Sequence, residues 1–310
     1  MRIAVMGAGA VGGYFGARLA AAGNEVHMIA RGPHLEAMRQ RGLLVKNPDG
    51  DLLVKPATAT DDPSKVGEVD LVLFTVKSTG TREAATAMRP LLGPRTAVLC
   101  LQNGVENEDV LTEVLGVGHV IPGVAYVGAE VTEPGVVTHT AMGRIALGER
   151  SGEVSERVKG ISKAFEDAGI HASVSSDITS AKWRKLVWNA AFNPITALTG
   201  QTVFDALQDD DVRELAHAAM REVIAVAQAL GLAVSEDDVP KGENVRSQKA
   251  MSKTSMLQDV ERGRPTEIEA LSGAVVRAGH RTGVPTPINA ALRALVGARA
   301  RHPPAHCPGP

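Results

Sequence analysis

Residues Arg2 to Met6 are a short run of apolar and β-branched side chains that meets Gly7-Ala8-Gly9-Ala10-Val11-Gly12 with nothing between, after which Ala17, Leu19, Ala20 and Ala21 continue as a helix. A strand, a glycine turn and a helix in that order constrain the fold more than any other stretch. Gly7 permits the tight turn, Gly9 lets the backbone approach a pyrophosphate, and Gly12 lets the helix lie close on the strand. The amides at the helix N-terminus then face the phosphates. The strand-turn-helix context makes Gly7, Ala8, Gly9, Ala10, Val11 and Gly12 a candidate dinucleotide loop, where the glycine spacing alone is a weak signal.

The next strand, Glu25 to Ala30, ends at Arg31-Gly32, where an NAD enzyme usually places an acidic residue on the ribose hydroxyls. An arginine there suits a 2'-phosphate. No Asp or Glu competes nearby in the sequence, so the expected cofactor is NADPH/NADP rather than NAD. Leu43–Val45 and Leu52–Lys55 can pair around Pro48-Asp49-Gly50, and Asp70–Val76 and Thr96–Leu101 are further apolar strands. These close with Lys77-Ser78 and Gln102-Asn103-Gly104. Ligands of an open parallel sheet bind outside the carboxyl ends of its strands, which makes Lys77 and Asn103 candidate contacts.

From Val120 to Leu147 shorter runs, broken by Gly123, Gly128, Pro134-Gly135 and Gly143, predict added antiparallel strands; a helix over Glu153–Ala168 and a strand over Gly169–Val174 follow. The expected fold is α/β, an N-terminal Rossmann-type doubly wound sheet over residues 1–176 and an all-helical domain over 177–300, with 301–310 a frayed tail. In the helical part, Val212, Leu215, Ala219, Val223 and Val226 share one predicted face of a helix over Asp211–Leu230.

Two such domains fit 310 residues, and 33 basic against 35 acidic side chains leave a net charge of -2. That balance argues against nucleic acid and membrane surfaces as partners. The two cysteines, Cys100 in an apolar run and Cys307 in a Pro-rich end, do not form a disulfide framework, which fits a cytoplasmic protein. No stretch has the length of a membrane span, and the first apolar run is too short for a signal peptide. The nine histidines show no paired spacing, so no metal is expected.

Ala181 to Gly200 reads AKWRKLVWNAAFNPITALTG. Trp183, Leu186, Val187, Ala190 and Ala191 form an apolar helix face, and Lys185, Asn189 and Asn193 share the opposite stripe. One cation and two amides make a sparse surface, closer to a cleft wall. Pro194 should bend or end this helix. Further on, SKTSMLQDVERGRPTEIEALSG runs from Ser252 to Gly273. Gly263 breaks one helix and Pro265 suits the start of the next, which puts Glu267 in a first turn where the helix dipole favours its ionised form.

These motifs together resemble the 2-dehydropantoate 2-reductase, or ketopantoate reductase, family over nearly the whole chain: GAGAVG with Arg31, Q-N-G at 102–104, W-R-K-L-x-x-N-A-x-x-N-P-x-T-A-L at 183–198 and S-M-L-Q-D-x-x-x-G-R-P-T-E-I-E at 255–269. The resemblance implies NADPH-dependent reduction of 2-dehydropantoate to pantoate, a step of coenzyme A biosynthesis. It implies Lys185 as general acid and Glu267 as the residue that positions substrate and lysine. Asn103, Asn189, Asn193 and Ser255 match positions that hold the oxo acid, and Asn103 and Glu267 also reach the cofactor. Ser252 departs from the pattern, since some members carry Asn there. The implied partner is a small 2-oxo acid, and a homodimer is compatible with the reading. Competing readings are a reductase of another 2-oxo acid, a β-hydroxyacid dehydrogenase, which also has Lys and Asn four apart, and a catalytically silent NADPH sensor.

Overall fold

The computed structural model describes residues 1–239 and 253–301. Ser252, Cys307 and the segment 302–310 lie outside the described residues. In chain order the first part is β1 (Arg2–Met6), α1 (Ala10–Ala21), β2 (Glu25–Ile29), α2 (Gly32–Arg41), β3 (Leu43–Lys46), β4 (Leu52–Val54), β5 (Thr58–Thr60), β6 (Val69–Phe74), α3 (Thr81–Ala87), β7 (Leu92–Cys100), α4 (Asn107–Leu115), β8 (Val120–Glu133), β9 (Val136–Leu147), α5 (Glu156–Asp167) and β10 (Ala172–Val174). The helical part is α6 (Ile178–Thr199), α7 (Val203–Ala206), α8 (Asp210–Ala229), α9 (Ser255–Glu261), α10 (Ser272–Thr282) and α11 (Pro287–Arg301). The chain divides into two compact units. One comprises Met1–Gln102 and Glu106–Ala181, and the other comprises Asn103–Val105 and the chain from Lys182 onward.

In the first unit the strands run β4-β3-β9-β8-β7-β6-β1-β2-β5, with β10 beside β9. The pairs from β8 through β7, β6, β1 and β2 to β5 are all parallel. This is the expected doubly wound sheet. Its strands are apolar on both faces because helices cover both. Ile3, Val5, Leu71 and Leu73 face α1 and α5, burying against Phe15, Leu19 and Phe165, while Ala4, Met6, Val72 and Phe74 face the other way, towards Ala84, Met88 and Leu111. Each such Leu, Ile or Phe contributes about 1.5–3 kcal/mol by leaving water. Cys100 is a buried free thiol on β7.

The antiparallel addition is one long hairpin, β8 with β9, rather than several short strands. Of the glycines read as breaks, Gly123 and Gly128 stay paired within the hairpin, Gly135 makes its turn and Gly143 is a bulge. Between Tyr126↔Arg144 and Val127↔Met142 the register skips Gly143, whose φ of 112° only glycine adopts without strain.

Three helical expectations are corrected or narrowed. Of the two outcomes expected at Pro194, a bend or an end, the end is ruled out, since α6 continues to Thr199. The missing N–H orphans the Ala190 carbonyl four residues back, and the buried Ser272 hydroxyl donates to it at 3.4 Å. Glu267 does not open a helix. Residues 264–267 are irregular, 268–271 are turns, and α10 starts at Ser272, so the dipole argument for Glu267 falls. On α8, Leu215 is exposed and Ala216 takes its place on the buried stripe with Ala219, Met220, Val223 and Ala227.

The second unit's core contains the predicted face of α6, Trp183, Leu186, Val187, Ala190 and Ala191, all buried, together with the inner face of α8 and Leu271, Val275 and Leu292. Lys185, Asn189 and Asn193 keep the other stripe. Among the described residues no helix is long and apolar enough to cross a membrane, and no cluster of metal-ligating side chains occurs.

Candidate active site

The dinucleotide loop is held by its main chain. Gly7, at φ 97°, turns the chain so that the Gly7 and Ala8 amides both donate to the Ile29 carbonyl, at 3.1 and 2.9 Å. The Thr75 hydroxyl donates to the Gly7 carbonyl at 2.9 Å. The first helical bond of α1 is Gly13 N–H to the Gly9 carbonyl, so the amides of the preceding turn have no acceptor within the helix. A Cβ on Gly9 would meet no atom within 4 Å, whereas one on Gly7 would lie 2.7 Å from the Val76 nitrogen and one on Gly12 would collide with Thr75 Oγ1 and the Gly7 carbonyl. Open space at Gly9 and none at Gly7 and Gly12 is the arrangement a pyrophosphate on this loop requires. The residues present therefore fit a dinucleotide.

Arg31 and Lys77 follow β2 and β6, the strands on either side of β1, so sheet order brings loop, arginine and lysine to one carboxyl edge. Arg31 is nevertheless not without competition. Glu83, on α3, accepts from its guanidinium at 3.0 Å, with both side chains about seventy per cent exposed. The absence of a nearby carboxylate held for the sequence around Arg31 and fails in space.

In the second unit, Lys185 Nζ donates to Asn103 Oδ1 at 2.8 Å, and Asn103 Nδ2 donates to Glu267 Oε2 at 3.5 Å. One amide thus joins an ammonium from α6 to a carboxylate from the turn before α10. Gly104 makes this possible. It has φ 98°, and a Cβ there would lie 2.6 Å from the Ala270 carbonyl, so only glycine lets 103–105 pack under that turn. Asn189 and Asn193 follow on the same stripe of α6, buried at 8% and 5% exposure, and neither side chain hydrogen-bonds to another described residue. Ser255 is exposed at the first position of α9, beside Thr254, which caps that helix and shares a 2.7 Å hydrogen bond with Thr196 of α6.

Several supporting residues escape sequence reasoning. Gln102 Nε2 donates to the Val76 carbonyl and to Thr81 Oγ1, both at 2.9 Å, which ties the loop after β7 to the one after β6. His34, on α2, contacts the Ala8 carbonyl at 3.0 Å. Burial pushes its pKa below the ordinary histidine value, with the Ala8 hydrogen bond pulling the other way. Gln102 at least lay within a quoted motif; His34, Thr75 and Glu83 carry no local signal.

A sequence profile of the ketopantoate reductase PanE/ApbA family matches residues 3–152, and the profile of that family's C-terminal part matches residues 177–300. The 2-dehydropantoate 2-reductase of Mesorhizobium japonicum is 38% identical, over 96% of this chain and 97% of its own. That of Halobacterium salinarum is 35% identical, over 96% and 98%. The crystal structure of 2-dehydropantoate 2-reductase from Geobacter metallireducens GS-15 superposes with a TM-score of 0.90 at 36% identity, covering 96% of this chain and 99% of that one.

Proposed function

The chain belongs to the ketopantoate reductase PanE/ApbA family, and on that premise we propose that it reduces 2-dehydropantoate to pantoate with NADPH, residues 1–176 holding the dinucleotide and 177–300 the oxo acid. The observation that carries the reading is the contact of Lys185 Nζ with the Asn103 amide, whose other end meets Glu267.

Bound NADPH supplies the hydride that the ketone carbon takes. The residues have to manage the charge that builds on the ketone oxygen. Lys185 donates a hydrogen bond to that oxygen and then its proton, which lowers the barrier where charge develops. Asn103 aims the ammonium, and Glu267 holds Asn103. Asn189, Asn193 and Ser255 offer neutral donors and acceptors for the carboxylate and the distal hydroxyl. Gly7, Ala8, Gly9, Ala10, Val11 and Gly12 present main-chain amides to the pyrophosphate. Arg31 takes the 2'-phosphate, with Lys77, Asn103 and Glu267 as further cofactor contacts.

The test is NADPH oxidation over a panel of 2-oxo acids including ketopantoate, with 3-hydroxy acids assayed in the reverse direction. The expected result is the highest kcat/KM on ketopantoate. Preference for a different 2-oxo acid would move the substrate, oxidation of 3-hydroxy acids would move the family branch, and NADPH binding without turnover on any oxo acid would leave a sensor. A cytoplasmic location fits the reduced thiol of Cys100, and a homodimer is compatible with the reading. Light scattering on the purified protein checks the assembly.

A further inference from the structure

His34 uses both ring nitrogens on main chain. Nε2 lies 3.0 Å from the Ala8 carbonyl, and the Gly135 N–H donates to Nδ1 at 3.0 Å. An amide can only donate, so Nδ1 accepts and the proton sits on Nε2, which donates to Ala8; the pair of contacts selects one neutral tautomer.

Each end of that bridge is set in a rigid element. Gly135 is the buried turn between β8 and β9, and a Cβ on it would lie 2.9 Å from Cβ of Ala37. Arg41 Nη2 donates to the Pro134 carbonyl at 2.7 Å, and Gly135's own carbonyl accepts from Leu44 N at 2.9 Å. On the loop side, the Gly7 carbonyl accepts from Thr75 and from the Gly9 N–H at 2.7 Å, and the Gly9 carbonyl accepts from Gly13. Ala8 has the remaining carbonyl, and His34 holds it. The Ala8 carbonyl and the Gly9 amide belong to one planar peptide, which His34 holds at its carbonyl end and the Gly7 carbonyl at its amide end, so the amides left for a phosphate are those that follow, from Ala10 onward. A freed carbonyl could swing towards the phosphates, where its negative end repels them.

We propose that His34 is a positioning residue for the dinucleotide, its Nε2–H fixing the Ala8–Gly9 peptide so that the carbonyl faces away from the pyrophosphate and the first-turn amides of α1 face towards it. This rests on the reading that Gly7–Gly12 holds NADPH. A mere fold staple makes a different prediction, because its loss lowers stability without singling out one ligand.

The experiment compares wild type with His34→Gln, His34→Asn and His34→Ala, by calorimetric titration with NADPH, melting temperature, and KM for the oxo acid at saturating NADPH. Gln carries its amide nitrogen about as far out as Nε2, whereas Asn reaches only the Nδ1 position and keeps the Gly135 bond alone. His34→Gln should bind NADPH within about threefold of wild type. His34→Asn and His34→Ala should bind about tenfold more weakly, the size of one lost hydrogen bond. KM for the oxo acid should be unchanged in all three. Asn or Ala variants that bind NADPH as wild type does would overturn the inference, as would Gln and Asn variants weakened alike in step with their melting temperatures. Wild-type protein that bound no NADPH would remove the dinucleotide reading, and this inference with it.

Discussion

On the proposed reading, the loop at residues 7–12 and the constellation of Asn103, Lys185 and Glu267 hold their ligands in opposite ways. The first presents main-chain amides, and its side chains are mostly absent or small; the second presents side chains, and its main chain only delivers them. A main-chain site depends on backbone conformation, which a few glycines encode over six consecutive residues. A side-chain site depends on residues 82 and 164 positions apart meeting, and nothing local encodes that. The first should be damaged by anything that reorients a peptide, the second only by changing the atoms that touch the substrate.

Lys185→Ala gives the largest expected effect and the sharpest test of that separation. Turnover should fall by about 10²- to 10⁴-fold while the NADPH dissociation constant stays within about twofold. An equal loss of NADPH affinity, measured by fluorescence titration, would show that the two sites are not separable. Arg31→Ala is next. It should weaken NADPH by about 10- to 100-fold and NADH hardly at all, since one charged hydrogen bond to the phosphate is lost. Parallel losses for both cofactors would mean that Arg31 does not read the phosphate.

A smaller effect concerns pH. His27 and His34, both in the first unit, are held by burial below the ordinary histidine value of 6.5. Between that value and their folded-state pKa values the unfolded chain binds more protons. Stability is therefore intact above pH 6.5 and declines as pH falls towards the folded values. Melting curves of the cofactor-free protein from pH 8 to pH 5 should show that decline, and a His34→Gln protein should show less of it. A flat profile in the wild type would mean that neither ring is held neutral.

Glu83→Gln should have a still milder consequence. Exposed ion pairs are weak, so releasing Arg31 should tighten NADPH by about two- to threefold and leave NADH unchanged. An unchanged ratio of the two affinities would show that Glu83 does not compete with the phosphate.

What could be read in advance follows the same division. The sheet was legible because Ile3–Met6 and Leu71–Phe74 are continuous apolar runs, and the loop because its glycines sit between strand and helix. Periodicity placed Lys185, Asn189 and Asn193 on one stripe, but only resemblance supplied their roles. Glu83 was invisible because 52 residues separate it from Arg31. Glu267 was misplaced because a proline two residues earlier is good helix-start chemistry, which the turn at 268–271 overrides by delaying α10 to Ser272. Leu215 was assigned inward on hydrophobicity, whereas the tight packing of α8 admits Ala216 instead.

Pro194 also leaves one hydrogen bond of α6 to be made by a distant part of the chain. A helix normally completes itself from contacts four residues apart, within the first moments of folding. Here the donor for the Ala190 carbonyl comes from Ser272, 82 residues later in the chain. That one bond therefore forms only once a long loop has closed, and contacts with that separation form late. Ser272→Ala should accordingly steepen the rate of unfolding while leaving refolding nearly unchanged, which stopped-flow chevrons would record. Slower refolding with unaltered unfolding would place the contact early instead. The helix that carries the proposed proton donor is thus finished from the far end of its own domain.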